Sequence, residues 1–595
     1  MPVTNPENTS RIPAGDKLQN SSALEFKDFN FRYRAQAEPT LVNINLRVNR
    51  GEKILILGPS GSGKSTLIHC INGIIPHAYK GEISGDLSLM GKNSKDLDIF
   101  SISKIAGTVL QDTDNQFVGI SAAEDIAFAL ENDCISSGEM QRRVFETAGL
   151  VDMTSHLEKS PQDLSGGQKQ RISMAGVLVD DVEILLFDEP LANLDPAAGK
   201  DAIELIDELH LKTGKTVLIV EHRLEDVLHR SVDRIVLIDN GRIIADTAPA
   251  QLLSSDLLKN AGIREPLYLN ALRYAGITIN AGMSPEHPDS LKLDYKPLVK
   301  WDNNLSEAKM QNGLQEETAE NTEGGLQIRD LFFRYDGYTE YAVKGVSFSV
   351  ASGVCAALAG SNGSGKSTIA KCICGFVRPD SGTIFYRGQD LAGLSVMQRA
   401  EKIGYVMQNP NQMISFPLIF DEAAFGLRTR GFIETETQER VFAALEVCGL
   451  YPFRNWPVNA LSYGQKKRLT IASILVLQPS FIILDEPTAG QDYRHYTEFM
   501  EFLLDLNRKQ GISLLLITHD MHLMLEYTVR AVVLSDGECV ADDEPSMVLT
   551  DPEIINRASL KQTSLYTLAL NAGLPDARGF VKRYIAFDRQ KREKA

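Results

Sequence analysis

Apolar residues follow two patterns that alternate along the chain. Short, nearly continuous apolar runs, such as those at 53–57, 182–187 and 481–484, are typical of buried parallel strands. Longer stretches at 122–149 and 420–449 place apolar residues at helical spacing, which predicts helices that bury one face. Strands that alternate with helices indicate an α/β fold.

The chain has two glycine-rich loops, and predicted strands precede each of them. Apolar and polar residues alternate over 24–33, which predicts a strand that ends at Tyr33, and the same pattern recurs up to Tyr335. The buried run 53–57 then enters Gly-Pro-Ser-Gly-Ser-Gly-Lys-Ser at 58–65, and Gly-Ser-Asn-Gly-Ser-Gly-Lys-Ser occupies 360–367. A strand, a glycine-rich loop and a helix in this order predict a phosphate-binding loop.

The residue types of these loops suit a nucleotide and Mg²⁺. Glycines let backbone N–H groups wrap the phosphates at the positive end of the following helix. Lysine neutralises the outer phosphates, and the following serine offers a hydroxyl to Mg²⁺. The sequence therefore predicts ATP and Mg²⁺ as ligands of two loops, bound through Gly58, Ser60, Gly61, Gly63, Lys64, Ser65 and Thr66 and through Gly360, Asn362, Gly363, Gly365, Lys366, Ser367 and Thr368.

A second motif identifies the type of ATPase. Leu-Ser-Gly-Gly-Gln at 164–168 follows the first loop, and an altered copy, Leu-Ser-Tyr-Gly-Gln, lies at 461–465. This run resembles the signature of ABC-type ATPases. The resemblance implies two tandem ABC cassettes of the P-loop NTPase class, each with a RecA-like α/β core, an antiparallel β subdomain and a helical subdomain.

The resemblance also assigns roles to residues between and around these motifs. Tyr33 and Tyr335 would stack on adenine, while Gln111 and Gln408 would sense Mg²⁺ and the γ-phosphate from Q-loops that border the membrane subunit. Each signature would grip the γ-phosphate held by the opposite cassette, so the cassettes would pair head to tail. The signature residues implied are Ser165, Gly167 and Gln168 in the first copy and Ser462, Gly464 and Gln465 in the second, where Tyr463 replaces Gly166.

Two buried strands end in paired carboxylates, Asp188-Glu189 and Asp485-Glu486. The aspartates are predicted to hold Mg²⁺ and the glutamates to polarise the attacking water, as general bases whose loss typically costs about 10²–10⁴ in rate. The resemblance adds two γ-phosphate-sensing histidines, His222 and His519, and two D-loop aspartates, Asp195 and Asp492.

The spacing of these motifs indicates a duplication. The loop lysines differ by 366 − 64 = 302, whereas the Q-loop, signature, aspartate and histidine offsets, 408 − 111, 462 − 165, 485 − 188 and 519 − 222, are all 297. The second copy is thus five residues shorter between its loop lysine and its Q-loop glutamine. Every motif beyond that point keeps its register, which predicts two chemically intact sites.

Other segments indicate a subfamily. Glu124-Asp125 and Asp421-Glu422 precede Ala-Phe-x-Leu, and simple amphipathicity predicts that these acids lie on a solvated face. The same segments, with those at 220–223, 263–268 and 519–527, resemble fused ATPases of energy-coupling factor (ECF) importers. That resemblance implies a subunit at the cytoplasmic face of the membrane that powers a transmembrane T component and a substrate-binding S component, and it leaves the vitamin or metal cargo open.

The predicted domain order is a tail at 1–23, the first cassette at 24–250, its helical tail at 251–276, a linker at 277–325, the second cassette at 326–548 and a helical tail at 549–595. The linker is polar and acidic, which predicts a solvated connection that lets the cassettes face each other. The basic run 583–594, with Arg589, Lys591, Arg592 and Lys594, is predicted to be a solvated tail rather than a lipid-binding patch.

Composition narrows the functional classes. The chain has 61 basic and 78 acidic residues and a net charge of −17, which argues against nucleic-acid binding as its main task. The polar N-terminus predicts neither signal peptide nor anchor, so a membrane link would need a partner. Seven scattered cysteines predict reduced thiols. The alternatives are a soluble tandem-cassette protein of translation or DNA repair, and an exporter ATPase.

Overall fold

The computed structural model describes residues 22–110, 116–192, 194–312 and 324–594. The chain folds into two compact units, of which the first comprises Met1–Leu191 and Ala202–Leu252 and the second Ala192–Asp201 and Leu253–Ala595. The predicted Q-loop residue Gln111 lies outside the described residues.

The first unit is built on two sheets. All five residues of the strand Lys53–Leu57 are buried, because helices cover both faces of a parallel sheet, and this strand lies inside the six-stranded sheet. That sheet has the order Arg242–Thr247, Arg234–Asp239, Lys53–Leu57, Thr216–Val220, Ile184–Asp188 and Ala106–Val109, parallel except at the first pair. The antiparallel sheet has the order Leu41–Asn49, Ser22–Tyr33, Gly81–Leu89 and Lys92–Asn93.

Helices follow the strands in the alternation that the sequence predicted. The predicted helical region 122–149 is two helices, and the first begins with a capping box at Ser121. The helices that begin in the first cassette are Lys64–Ile71, Ile74–His77, Ile99–Ser103, Ala122–Asn132, Ser137–Leu150, Gly166–Leu178, Pro196–Thr213, Leu224–Val227 and Pro249–Leu253.

The second unit repeats this architecture. Its six-stranded sheet has the order Ile403–Val406, Phe481–Asp485, Ser513–Ile517, Cys355–Gly360, Arg530–Ser535 and Glu538–Asp543, and its antiparallel sheet the order Val343–Val350, Leu326–Phe333, Ser381–Tyr386 and Gln389–Asp390. The cassette helices are Lys366–Cys374, Val396–Ala400, Ile419–Arg428, Glu434–Val447, Tyr463–Leu475, Tyr493–Gln510, Met521–Tyr527 and Pro545–Val548.

Further helices of the second unit lie outside the cassette sheets. They are Leu257–Asn260, Leu267–Tyr274, Lys296–Asn312, Pro552–Arg557, Ser564–Asn571 and Ala577–Lys594. The expectation of a solvated linker over 277–325 is wrong for the helix that begins at Lys296, because Leu298 is buried and Asp302, 4% exposed, pairs with Arg583 at 2.7 Å.

The expectation of a solvated tail over 583–594 is wrong for Arg589 and Arg592. Arg589 donates to the carbonyl oxygen of Glu526 at 2.6 Å, and Arg592 donates to the carboxylate of Glu526 at 2.8 Å. Because Glu526 is 2% exposed, these guanidinium groups neutralise an interior charge. In the described ranges, no helix is both long enough and apolar enough to span a bilayer.

Candidate functional site

The two phosphate loops require glycine for the same geometric reason. Gly63 and Gly365 stand immediately before their helices with φ angles of 103° and 98°. A Cβ atom would lie 3.0 Å from the carbonyl oxygen of Thr40 in the first loop and 2.6 Å from that of Ala342 in the second. Both the left-handed backbone and the close approach therefore exclude larger residues.

Each loop lysine is buried and turned into its own loop. Lys64 Nζ donates to the carbonyl oxygens of Gly58 at 2.8 Å and Pro59 at 2.9 Å, and Lys366 makes the same two bonds at 3.0 and 2.7 Å. Burial lowers the pKa of Lys366, and nearby carboxylates, first that of Glu486, oppose this shift. The ammonium groups thus lie where a bound phosphate would replace weaker carbonyl partners.

A serine and an aspartate meet at the end of each strand that carries the carboxylates. Ser65 Oγ donates to Asp188 Oδ1 at 3.4 Å. Burial raises the pKa of Asp188 and of Asp485, and a hydrogen bond from Tyr405, at 2.9 Å, and one from Ser367 oppose the shift at Asp485. A buried carboxylate with a raised pKa is destabilised as an anion, so a cation bound there would be favoured.

The two predicted bases share an uncommon backbone. Glu189 and Glu486 have φ angles of 51° and 46°, in the left-handed region that non-glycine residues rarely occupy. Their contacts with the predicted histidines differ. His519 Nδ1 lies 2.7 Å from Glu486 Oε1, whereas His222 Nδ1 lies 3.9 Å from Glu189 Oε1.

An extra carboxylate accompanies the first base. Glu221, which is fully buried, accepts hydrogen bonds from the backbone N–H groups of Leu191 at 2.9 Å and His222 at 3.0 Å. Burial raises the pKa of Glu189, His222 opposes that shift, and Glu221 adds to it. The second cassette has the neutral Thr518 at this position, so the two sites carry different charges that no motif revealed.

The signature serines begin helices. Ser165 Oγ accepts from the N–H of Gln168 at 3.4 Å, while the Gln168 side chain accepts from the Ser165 N–H at 3.0 Å. Ser462 and Gln465 make the same reciprocal pair at 3.3 and 2.9 Å. These capping boxes fix each serine, and the N–H groups beside it, at a helix N-terminus suited to a phosphate. Gly167 and Gly464 lie in the first turns of these helices.

The predicted adenine-stacking tyrosines point back to the phosphate loops. Tyr33 Oη lies 3.2 Å from Thr66 Oγ1, and Tyr335 Oη lies 3.0 Å from Thr368 Oγ1. Tyr335 is 36% exposed, so part of its ring remains open to a ligand.

Acidic side chains secure the segments that follow the Q-loops. Asp125 accepts from the backbone N–H groups of Val118 at 2.8 Å and Gly119 at 3.2 Å. Glu422 makes two such bonds in the equivalent loop, at 2.8 and 2.9 Å, and is only 6% exposed. The expectation of a solvated acidic face is therefore wrong for Glu422. The sequence feature that indicates this contact is the acidic residue at the same distance after each Q-loop, Asp125 in the first cassette and Glu422 in the second.

The D-loop aspartates also cap helices. Asp195 Oδ1 accepts from the N–H of Ala198 at 2.9 Å, and Asp492 Oδ1 accepts from that of His495 at 2.9 Å. Asp195 belongs to the stretch that groups with the second unit, and within that unit its Oδ2 accepts from the N–H of Asn362 at 3.2 Å.

The residues present fit a magnesium ion bound together with a nucleotide. Each cassette offers one serine hydroxyl and one aspartate, both oxygen ligands of the kind that Mg²⁺ takes when phosphates supply others. Over the described ranges, no group of three or more His, Cys, Asp and Glu side chains forms a metal cluster by itself.

Comparisons with known proteins identify the family. A family model described as ABC transporter matches residues 41–192 and 343–489, and one described as ATP-binding cassette cobalt transporter matches residues 255–333. Among solved structures, CbiO1 from Clostridium perfringens, described as part of the ABC transporter complex CbiONQ, is 30% identical, with 43% of this chain and 98% of that chain covered and a TM-score of 0.37.

Curated relatives match almost from end to end. A putative ABC transporter ATP-binding protein of Clostridium perfringens is 54% identical over 574 residues, 96% of this chain and 99% of the relative. Those of Vibrio parahaemolyticus and Enterococcus faecalis are 52% and 51% identical, with 96% of this chain covered in both cases and 97% and 99% of the relatives. The prediction of two tandem ABC cassettes is confirmed, and the chain belongs to the ABC transporter family as an ATP-binding protein that hydrolyses ATP to drive transport.

Proposed function

We propose that this chain is the ATPase subunit of an ECF-type importer, which takes up a vitamin or metal ion through a transmembrane T component and a substrate-binding S component. The observation that carries the proposal is the match of residues 255–333 to the cobalt transporter family. That match lies outside the residues that the ABC transporter model matches, and it agrees with the ECF-like segments around Arg264 and His519.

At each site the chain would bind ATP from three sides. Tyr33 and Tyr335 would stack on adenine, the loop N–H groups would wrap the phosphates, and Lys64 and Lys366 would turn to the outer ones. Mg²⁺, when bound, would neutralise charge on the phosphates, held by Ser65 with Asp188 and by Ser367 with Asp485, and Gln111 and Gln408 would sense it.

The glutamates would then activate water. Glu189 and Glu486 directly follow their strands, one residue beyond the aspartates that would bind Mg²⁺, so each carboxylate would accept a proton from the attacking water near the γ-phosphate. His519 already contacts Glu486, and it would orient that carboxylate while it also contacts the γ-phosphate. His222 would do the same in the first cassette.

Each site would be completed by the opposite signature. Ser165 would serve ATP held by Lys366, and Ser462 would serve ATP held by Lys64. The helix-capping position of both serines supports this assignment, because N–H groups at a helix N-terminus bind phosphate.

The surface next to the Q-loops suits a membrane partner. Val118 and Ile120 are 66% and 83% exposed, and Phe128 and its counterpart Phe425 are 44% and 51% exposed. Exposed apolar side chains on a rigid support are typical of a docking site, and Asp125 and Glu422 provide that support. We assign cytoplasmic helices of the T component as the occupant.

Co-purification from solubilised membranes tests the proposal. The tagged chain is expected to bring down a polytopic membrane protein, and Phe128→Glu with Phe425→Glu is expected to abolish that association while ATP binding remains. Phe145→Glu, at an apolar residue 61% exposed on a neighbouring helix, is the matched control and should keep the partner. Recovery of ribosomes or DNA in place of a membrane protein would reject the proposal.

Transport assays then test direction and cargo. Cells that carry the complex should accumulate Co²⁺ or a vitamin such as thiamine, in an uptake that depends on Lys64 and Lys366. Loss of preloaded cargo that depends on the same lysines would instead indicate an exporter.

A further inference from the structure

Among the differences between the signature helices of the two cassettes, two lie one turn apart near the N-terminus of the helix. Tyr463 stands where the first cassette has Gly166, and Lys467 stands where it has Gln170, since 463 − 166 and 467 − 170 are both 297. Side chains four residues apart lie on the same face of a helix, so the two differences are neighbours in space.

Lys467 connects that face to the turn after the second base. It is 2% exposed, its Nζ donates to the carbonyl oxygen of Pro487 at 2.7 Å, and Pro487 directly follows Glu486. The same Nζ lies 5.2 Å from the centroid of the Tyr463 ring, within the range of a cation–π contact.

The hydrogen bond alone does not require an ammonium group. In the first cassette, the neutral amide of Gln170 donates to the equivalent carbonyl, that of Pro190, at 2.6 Å. An interior ammonium costs much more free energy to bury than an amide. The charge of Lys467 therefore points to a role beyond packing.

Tyr463 continues the connection outward. Its hydroxyl donates to the backbone carbonyl oxygen of Gln408 at 3.4 Å, and Gly166 has no side chain to make such a contact. A continuous path thus runs from the Q-loop at Gln408, through the Tyr463 ring and Lys467, to the turn at Pro487.

We propose that Tyr463 and Lys467 are positioning residues that link the Q-loop of the second cassette to the turn that carries Glu486. Gly166, which has no side chain, cannot take the place of Tyr463 in the first cassette. The inference rests on the proposed roles of Gln408 and Glu486. It makes the two ATP sites unequal, because the second base is placed through a tyrosine ring and an ammonium group, where the first cassette has Gly166 and Gln170.

Both bases have a loop lysine and a histidine nearby, and beyond these their surroundings differ by one charged group in each cassette. Burial lowers the pKa of Lys467 to about 8, and the Glu486 carboxylate opposes that shift, so the ammonium group persists at neutral pH. Lys366 and His519 also face Glu486. The first cassette instead places the Glu221 carboxylate near its base.

Steady-state ATP hydrolysis by the full chain tests the link. Lys467→Gln gives the second cassette the residue of the first and keeps the bond to Pro487 feasible. We expect it to lower kcat about tenfold, as loss of a supporting contact around a reactive centre does, with the KM for ATP nearly unchanged. Tyr463→Phe, which removes only the hydroxyl, should lower kcat in the same direction.

A double variant tests whether the two residues act as one path. Lys467→Gln with Tyr463→Phe should cost no more than the larger single change, since residues in one network are not additive. Thr470→Val is the matched control, because Thr470 is 1% exposed on the same helix and its hydroxyl donates only back to the Lys467 carbonyl at 2.8 Å. It should leave kcat unchanged.

The outcomes separate this inference from the proposed function. If Glu486→Gln abolishes hydrolysis but Lys467→Gln leaves kcat unchanged, the link is wrong and the base assignment stands. Additive losses, or an equal loss in Thr470→Val, would also overturn the link. If Glu486→Gln hydrolyses ATP at the normal rate, both the base assignment and the link are wrong. Thermal unfolding of each variant shows that the chain is folded.

Discussion

Substitution of both bases should separate ATP binding from hydrolysis. In Glu189→Gln with Glu486→Gln, the loop contacts with the phosphates remain, but no carboxylate can accept the proton of water. We expect ATP binding to persist, a closed state to accumulate, and hydrolysis to fall at least about 100-fold. Equilibrium binding and phosphate release measure this, with Glu208→Gln, an exposed acid, as control. Weak ATP binding by the double variant would contradict the assigned roles.

Glu189 and Glu486 occupy equivalent turns, yet their surroundings differ. The Asp-Glu motifs made both residues predictable, because two carboxylates after a buried strand have few structural explanations. Their positive φ angles were not predictable, since they depend on the turn that each strand makes. Glu221 and Lys467 were also missed as neighbours of the bases, because neither is a predicted site residue and only burial in the folded chain brings them near the bases.

Lys467 should lower the stability of the unliganded protein in a pH-dependent way. Its folded-state pKa, about 8, lies below the ordinary 10.5. Below pH 8 both states are protonated and the burial cost is present in full. Between pH 8 and 10.5 the unfolded state binds more protons, so stability rises with pH and the cost disappears.

We therefore expect Lys467→Gln to increase the free energy of unfolding at pH 7 by about 3 kcal/mol, because burial lowers the pKa of Lys467 from 10.5 to about 8. The gain should shrink at about pH 9.5. Urea denaturation at both pH values measures it, with Thr470→Val as the control for substitution within the same helix. A gain that is equal at both pH values would show that repacking, rather than the ammonium group, is responsible.

At the scale of elements, the strands were predictable and the segments outside the sheets were not. The runs at 53–57 and 481–485 fold as predicted, because a strand buried on both faces needs apolar residues throughout. The helix Lys296–Asn312 was not predicted from the sequence. Its residue Asp302 is buried and pairs with Arg583, but a charged residue in a polar segment is typical of a solvated linker. For the same reason, the basic C-terminal sequence did not predict that Arg592 pairs with the buried carboxylate of Glu526.

The ion cluster around Glu526 should stabilise the second unit strongly. Arg264 and Arg592 both pair with this carboxylate, which is 2% exposed, and Arg264 also stacks on Tyr493 and Tyr496 at about 5 Å. Glu526→Gln removes the paired carboxylate of Arg264 and leaves Arg592 with Asp588 as its remaining partner, so we expect a loss of about 3–5 kcal/mol. Urea denaturation measures the loss.

An exposed pair provides the control for that cluster. Arg494 and Glu498 lie one helical turn apart with side chains 77% and 54% exposed. Because water screens such a pair, Glu498→Gln should change the free energy of unfolding by less than about 1 kcal/mol. Equal losses in Glu526→Gln and Glu498→Gln would show that burial of the cluster does not determine its strength.

At the scale of the whole molecule, the constant offset of 297 predicted two cassettes with intact motifs, and the comparisons confirm the family. The motifs did not predict how the chain divides. The cassette boundary drawn at 250 from sequence is close to the division at Leu252, but the stretch Ala192–Asp201 groups with the second unit although it follows the first cassette's catalytic carboxylates.

This division predicts that thermal unfolding occurs in two transitions that can be moved separately. The buried pair of Lys53 and Asp207 lies in the first unit, and the Glu526 cluster lies in the second. Asp207→Asn leaves Lys53, which is 4% exposed, without its counter-charge, so it should lower the transition temperature of the first unit. Glu526→Gln should lower only the transition temperature of the second unit. Scanning calorimetry of the full chain without nucleotide distinguishes them, and a single transition lowered by both substitutions would show that the chain unfolds as one cooperative unit.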